Sequence, residues 1–175
     1  MQEHIQNELA SFIANCDWEK IAPHFKEDAA YRVLDWVGCA VAGEHYPQVE
    51  IAQKYFIENG DQGNSTVIGH QIKCSPRTAA FLNGIAGHVC ELDDGHRTAI
   101  GHPGSIAVPT ALALGEHLNA SGADVLKAVI LGYEVFSRLG RTVNPSHYRT
   151  WHTTGTCGTI AAAAAAASLL KPVSY

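Results

Sequence analysis

Residues 155–170 read GTCGTIAAAAAAASLL, an apolar run that includes seven consecutive alanines. Alanine has the highest helix propensity of the common residues but a small side chain with little surface to bury. The run therefore predicts a helix that neighbouring helices must surround closely. A domain built around such a helix is expected to be all-α.

The remaining apolar positions also fall mainly at helical spacing. This spacing predicts further helices over residues 27–43, 49–57, 105–118 and 125–139. Another helix is expected from Ser75-Pro76, an N-cap followed by proline at the first helical position, and Ser121 to Asp124 resembles a capping box. Only residues 65–69 predict a strand. The expected fold is an all-α, multi-helix domain with at most one minor β element.

One helix, over residues 27–43, has an apolar stripe that predicts which face it buries. Gly38 and Ala42, one turn apart, suggest that this helix packs closely on a neighbour. The stripe consists of Ala30, Val33, Leu34, Val37, Ala40 and Val41.

Composition limits the partners of the chain. With 175 residues, 46% of them hydrophobic, the sequence can bury one sizeable core. Its formal charge is −5 and it has no block of Lys or Arg, which argues against nucleic acid or an anionic membrane as the main partner. Small molecules and protein partners remain.

Two features bear on location. The first apolar residues fall at helical spacing, and the longest apolar run, residues 160–167, is too short to span a bilayer, so neither a secretory signal nor a membrane span is predicted. The five cysteines are odd in number and widely spaced, which predicts reduced thiols in a cytoplasmic protein. The abrupt end at residues 171–175 predicts a chain that is cut short.

A loop rich in titratable groups separates two of the apolar helices. Residues 91–103 read ELDDGHRTAIGHP, with three carboxylates, two histidines and an arginine. The adjacent side chains of Asp93 and Asp94 are expected to diverge, so that one orients a histidine or arginine while the other faces substrate. Such density between glycines indicates a functional site.

The other groups in this loop suit acid–base chemistry. His96 and His102 are candidates for proton transfer because an imidazole titrates near neutral pH. Arg97 has the planar fork that grips a carboxylate. Alternatively, the loop is a polar connector in which Arg97 neutralises Asp93 or Asp94 and the histidines cap helix ends.

A second cluster, at residues 148–158, places His152 among hydroxyls just before the alanine-rich helix. The N–H groups at such a helix start are able to hold an anionic group. The alternative is an ordinary N-cap formed by Thr154 or Thr156. Cys157 is a candidate nucleophile beside His152, although a cysteine at this position is more often buried and inert.

No metal ligand and no cofactor are predicted, and a metal site would have to be assembled from distant parts of the chain. No two histidines are separated as in a helical zinc motif. His88, on the helix before the loop, is interpreted as a packed, hydrogen-bonded residue.

Five motifs in one order resemble the MmgE/PrpD family, over about residues 5–170. They are LDWVGCAVAG at 34–43, HVCELDDGHR at 88–97, GHPGS at 101–105, GYE at 132–134 and WHTTGT at 151–156. The resemblance implies a lyase or isomerase, mostly metal-independent, that acts on small di- or tricarboxylic acids. It further implies a large all-helical domain, a smaller α+β lid domain and a homodimer.

The decarboxylase branch of that family carries an aspartate, a threonine and two histidines that fall here on Glu91, Gly95, His102 and His152. Glu91 is longer than aspartate and Gly95 has no hydroxyl, and the loop is one residue longer. These departures count against decarboxylase activity of that type. The loop more closely resembles a broad part of the family, to which another member, iminodisuccinate epimerase, is closer.

The resemblance also implies a mechanism in which a proton next to a carboxylate is abstracted. His102 or His152 is expected to transfer the proton, and Asp93 or Asp94 to orient that histidine. Arg97 and the backbone at the start of the alanine-rich helix are expected to hold the substrate carboxylate. The residues expected to bind substrate are Glu91, Asp94, His96, Arg97, Gly155 and Thr156.

By this resemblance, residues 1–175 form the N-terminal portion of the helical domain, without the lid domain and its active-site lysines. The first hypothesis is therefore a half-subunit that works as a homodimer or with a complementing C-terminal polypeptide. The second is an inactive fragment or a helical interaction subunit of a split enzyme. The third is a self-contained hydrolase that uses Cys157 and His152.

Overall fold

The computed structural model describes residues 4–171, in which helices dominate. The helices are α1 (Ile5–Ala14), α2 (Pro23–Gly43), α3 (Pro47–Glu58), α4 (Pro76–His88), α5 (Gly104–His117), α6 (Gly122–Val143) and α7 (Thr153–Leu170). Short 3₁₀ helices occur at Trp18–Lys20 and His147–Arg149, and a two-stranded antiparallel sheet pairs β1 (Ser65–Thr66) with β2 (Lys73–Cys74). The prediction of an all-α domain with one minor β element is confirmed.

Capping residues in the sequence correctly predicted where α4 and α6 begin. Ser75 is the N-cap of α4, where its side chain accepts a hydrogen bond from the Thr78 N–H. Ser121 caps α6 in the same way through the Asp124 N–H. Most of the helices extend two to four residues beyond the predicted ranges because helical ends carry few apolar residues.

The alanine-rich helix α7 packs against α5 and α6, as its composition predicted. Ala161 and Ala165 are fully buried, and a Cβ at Gly132 of α6 would lie only 3.5 Å from the Ala165 Cβ. Small residues on both helices permit this close approach. By length and composition α7 would also cross a membrane, but half of its residues are buried inside the fold, which is typical of a core helix.

Helices α2 and α4 contact each other through glycines near their C-terminal ends. The predicted contact through Gly38 and Ala42 of α2 is not the one observed. A Cβ on Gly43 would lie 2.0 Å from the Ala86 carbonyl oxygen, and one on Gly87 would lie 2.5 Å from the indole of Trp36. By contrast, a Cβ on Gly38 would meet nothing within 4 Å. The backbones of the two helices therefore touch where α4 leads into the charged loop.

The predicted apolar stripe of α2 is only half correct. Ala40 is fully buried, and Val33 and Val37 pack on the core. Leu34 is 68% exposed and Val41 50% exposed, because the buried face is centred on Trp36 instead. An aromatic side chain can fill more of the space between α2 and α4 than the aliphatic residues beside it.

Helix α7 ends in a conformation that the sequence did not predict. Lys171 adopts a left-handed backbone conformation with φ 46°, and its N–H donates to the Ala167 carbonyl. This arrangement closes α7 without a glycine. The rest of the predicted abrupt end, residues 172–175, lies outside the described residues, as do residues 1–3.

The contact between α2 and α4 gives a stability prediction. Replacing Gly43 with Ala is expected to lower the free energy of unfolding by about 1–3 kcal/mol because the new methyl group meets a backbone carbonyl. The control is Gly38→Ala in the same helix, which is expected to raise it by about 0.5–1 kcal/mol. Urea unfolding followed by circular dichroism measures both. Equal stabilisation by the two substitutions would contradict the contact.

Candidate functional site

The loop between α4 and α5 closes on itself through backbone hydrogen bonds. The His96 N–H donates to the Gly101 carbonyl at 2.8 Å, and the Ile100 N–H donates back to the His96 carbonyl at 2.8 Å. The His96 ring takes part as well, since its Nδ1 accepts from the Ala99 N–H at 3.1 Å. That acceptor role leaves the Nδ1 atom of His96 without a proton. The loop is therefore a compact turn.

Asp93 is the buried acid of this loop, with a side chain that is 0% exposed. Its Oδ1 lies 2.9 Å from Nδ1 of His88, and its Oδ2 lies 3.5 Å from Nδ1 of His102. The two imidazoles face each other with ring centroids 4.7 Å apart. One carboxylate thus serves two histidines, a contact that the sequence did not reveal for His88.

Asp94 turns the opposite way, as predicted for adjacent carboxylates. Its Oδ2 accepts from Nη1 of Arg32 at 2.8 Å, and its Oδ1 accepts from the Gly104 N–H at 3.1 Å. The Gly104 N–H belongs to the first turn of α5, where a negative charge is favourable. Asp94 therefore ties the loop to both α2 and α5.

The surroundings of Asp94 shift the ionisation of its neighbours. Burial of the Tyr133 hydroxyl raises its pKa, and the nearby Asp94 carboxylate raises it further, so the phenol stays neutral. The hydrogen bond from Arg32 to Asp28 raises the pKa of the guanidinium, which stays charged. These groups, with His96 and Arg97, line a pocket of about 380 Å³.

Thr154 joins the two clusters that the sequence shows 52 residues apart. Its Oγ1 accepts from the His102 N–H at 3.0 Å, and its side chain is buried. A Cβ on Gly101 would lie 3.0 Å from the same Oγ1. The N-cap residue of α7 is His152 and it makes no side-chain cap bond, so the interpretation of Thr154 or Thr156 as N-cap is wrong.

Several predicted site residues lie at the surface of the described chain. Glu91, Arg97 and His152 are exposed, and the ring of His152 contacts that of Tyr148 at 5.7 Å between centroids. Gly95 is also exposed, and a Cβ there would meet nothing within 4 Å. Packing therefore imposes no glycine at position 95.

The start of α7 already uses two of the amides expected to bind an anion. The N–H groups of Gly155 and Thr156 donate to the His152 carbonyl at 3.0 and 3.2 Å. The Thr156 hydroxyl lies 2.7 Å from Nε2 of His147. Cys157 is buried, and burial raises the pKa of its thiol, which disfavours the thiolate that the hydrolase hypothesis requires.

One group of side chains has the geometry to hold a metal ion. One ligand atom each from His88, Asp93 and His102 lies within 4.8 Å of the others, and this is the only such group in residues 4–171. Two imidazoles and a carboxylate suit a divalent transition metal. The same geometry suits one carboxylate that binds His88 by a hydrogen bond and faces Nδ1 of His102 at 3.5 Å.

A family model, the MmgE/PrpD N-terminal domain, matches residues 7–172. The chain belongs to the MmgE/PrpD family. The resemblance carried by the sequence motifs is thereby confirmed, together with the position of this segment within the family's N-terminal domain.

Curated relatives in the family include cis-aconitate decarboxylases. The chain is 31% identical to cis-aconitate decarboxylase-like protein oryM of Aspergillus oryzae over 95% of its own length and 36% of that protein. It is 31% identical to cis-aconitate decarboxylase of Aspergillus terreus, with 95% and 35% covered. For the human cis-aconitate decarboxylase the identity is 34%, with 79% and 30% covered. The chain thus spans about a third of the length of these relatives.

Within this family domain, sequence reasoning missed four residues that shape the site. The sequence predicts a packed, hydrogen-bonded His88 but not its partner Asp93, predicts no role for Arg32 and Tyr133, and offers Thr154 only as a cap. A signal existed for His88, which precedes Asp93 by five residues at the end of a predicted helix. No local signal marks Arg32, because it lies 62 residues from Asp94.

The hydrogen bond between Thr154 and His102 gives a prediction about the loop. Thr154→Val keeps the shape of the side chain but leaves a buried N–H without its acceptor, which is expected to cost about 1–3 kcal/mol of stability. Amide hydrogen exchange at His102 is expected to become faster. The matched control is Thr159→Val on the exposed face of α7, expected to change stability by less than about 0.5 kcal/mol. Unchanged exchange at His102 would contradict the proposed link between the clusters.

Proposed function

We propose that this chain supplies the proton-transfer side of the active site of an MmgE/PrpD lyase or isomerase. The substrate class is a small di- or tricarboxylic acid. The observation that carries the proposal is the buried Asp93 carboxylate facing Nδ1 of His102 at 3.5 Å. The whole enzyme requires more polypeptide than this chain, because the curated relatives are about three times as long.

The geometry suits His102 to the removal of a proton. Its Nδ1 atom is buried against Asp93, while 28% of the side chain remains exposed. The accessible part of the ring therefore includes the edge that carries Nε2. A proton on Nδ1, directed at Asp93, leaves the Nε2 lone pair available as the base, which is how a carboxylate fixes a histidine tautomer in other enzymes.

Charge stabilisation requires cationic or N–H donors near the substrate. We propose Arg97 for this role, since its exposed guanidinium belongs to the same loop as His102. We propose that Glu91, His96 and His152 also contact the substrate. Gly155 and Thr156 are proposed to support His152 through the bonds that they donate to its carbonyl.

The reaction type is proposed as dehydration, decarboxylation or epimerisation, which share an initial or final proton transfer next to a carboxylate. The names of the relatives favour decarboxylation. Glu91 and the absence of a hydroxyl at Gly95 favour one of the other two. No metal or cofactor is proposed for this chemistry, and the carboxylate and the histidines supply its acid and base.

Deuterium exchange tests the proton transfer without prior choice of reaction. In the assembled enzyme, His102→Asn is expected to slow exchange of the substrate C–H in D₂O by about 10²–10⁴-fold. The assay follows a panel of di- and tricarboxylic acids by proton NMR. His117→Asn, in a histidine at the exposed end of α5, is the control and should keep the parent rate. Parent-rate exchange in His102→Asn would overturn the assignment.

A second candidate function is an interaction subunit of a split enzyme. Helix α2 exposes Tyr31, Leu34 and Val41 by 63%, 68% and 50%, and these three residues define what we call the exposed face of α2. Apolar side chains in a row on a helix surface mark an interaction site more often than isolated ones do. We propose that a complementing polypeptide, which corresponds to the two-thirds of the relatives that this chain does not match, covers the exposed face of α2.

This proposal is tested by size-exclusion chromatography with light scattering. The chain is mixed with a polypeptide that represents the remaining part of the enzyme, and a one-to-one complex is expected. Leu34→Asp is expected to weaken the complex at least about tenfold, because burying an unpaired charge is costly. Asn7→Asp introduces the same charge on exposed α1 and should leave the affinity unchanged. Self-association into a dimer, with no uptake of the added polypeptide, would contradict the split-enzyme candidate.

A further inference from the structure

The carboxylate of Asp93 has two imidazole neighbours, and only one of them is part of the proposed proton transfer. His88 is the closer of the two, with Nδ1 2.9 Å from Oδ1, whereas Nδ1 of His102 lies 3.5 Å from Oδ2. The contact with His88 is a full hydrogen bond, whereas Nδ1 of His102 faces the carboxylate without forming one in this conformation. The orientation of the Asp93 carboxyl plane therefore depends mainly on His88.

The backbone around His88 is held firmly. His88 is the last residue of α4, and the preceding Gly87 lies directly against the Trp36 indole. The Glu91 N–H donates to the His88 carbonyl at 2.8 Å, which closes the turn that leads to Asp93. Tight packing on one side and a closed turn on the other leave the backbone at His88 little freedom to move, and the hydrogen bond to Asp93 orients the imidazole.

His88 also borders open space. Its side chain is 31% exposed and lines a cavity of about 480 Å³ together with Ser105 and Thr154. Thr154 is the residue that holds the backbone of His102. Ser105 also bonds the His102 carbonyl, so the polar side chains around this cavity lie next to the proposed base.

We propose that His88 is a positioning residue, which holds the Asp93 carboxylate in the plane that serves Nδ1 of His102. The catalytic part of this assignment rests on the proposed function. The dependence of the Asp93 orientation on His88 does not. A donor at position 88 fixes Oδ1, and the geometry of a carboxylate then directs Oδ2 at His102. Without that donor, a buried carboxylate has one long contact and is free to turn.

Histidine NMR on the full 175-residue chain, prepared in the presence of EDTA, tests the coupling without an activity assay. In the parent chain, His102 is expected to carry its proton on Nδ1. In His88→Leu the Nδ1–H signal of His102 is expected to be lost in favour of the Nε2–H tautomer. His88→Asn, whose amide nitrogen takes the position of Nδ1, is expected to restore the parent signal. His117→Leu is the control, because His117 also ends a helix and contacts one polar partner, Asn64, at 2.7 Å.

Two results would overturn the proposal. One is an unchanged His102 tautomer in a folded His88→Leu chain. The other is a shift of Nδ1 in both histidines when one equivalent of ZnCl₂ is added after the EDTA has been dialysed away, which would make them metal ligands rather than carboxylate donors. Where His88→Leu fails to fold, His88→Met serves instead, since its side chain fills similar space and offers Asp93 no donor.

An activity arm separates this proposal from the proposed function. In the assembled enzyme, His88→Leu is expected to lower kcat by about 10–100-fold with KM changed less than about twofold, because positioning acts on the transition state. His88→Asn is expected to recover most of the rate. Absence of turnover in the parent enzyme with every acid would refute the proposed function alone, and the NMR result would still decide the role of His88.

Discussion

A carboxylate removed from water is unfavourable unless hydrogen-bond donors surround it, and this constraint shapes the centre of the domain. Asp93 is fully shielded, and the fold brings an imidazole nitrogen to each of its oxygens, that of His88 within hydrogen-bond distance and that of His102 at 3.5 Å. One imidazole comes from the end of α4 and the other from the residue before the proline that precedes α5. The loop between these helices is therefore fixed at both ends by one side chain.

The rest of the fold can be understood as support for that arrangement. Glycines at the contact between α2 and α4 allow the two backbones to touch, which sets the position of His88. Arg32 of α2 holds Asp94, so the same helix positions both ends of the acidic pair. On the far side, Thr154 of α7 holds the backbone of His102. Three helices thus converge on a loop of thirteen residues, 91–103.

The opposite orientations of Asp93 and Asp94 divide the loop into two environments. On one side are two histidines and a buried carboxylate, the elements of proton transfer. On the other are a permanently charged guanidinium and a neutral phenol, which stabilise the loop. The shielding of Asp94 by Arg32 removes it from competition for the histidines. Asp94 therefore holds the loop in place, whereas the neighbouring Asp93 faces the histidines of the proposed proton transfer.

The sequence by itself determined the helical class, the capped starts of α4 and α6, the family and the loop that contains the site. These are local properties, because periodicity, capping and motif spacing act within a few residues. It also predicted that Asp93 and Asp94 diverge, since adjacent side chains in extended backbone point apart. The partners of each carboxylate were beyond its reach.

Only the tertiary structure decided those partners. Arg32 lies 62 residues from Asp94, and Thr154 lies 52 residues from His102, so no local pattern connects them. The buried face of α2 was misjudged for a related reason. Several apolar faces are possible on one helix, and the large Trp36 side chain settled the choice by filling the space against Gly87. Packing across the whole chain selects one arrangement among those that local chemistry allows.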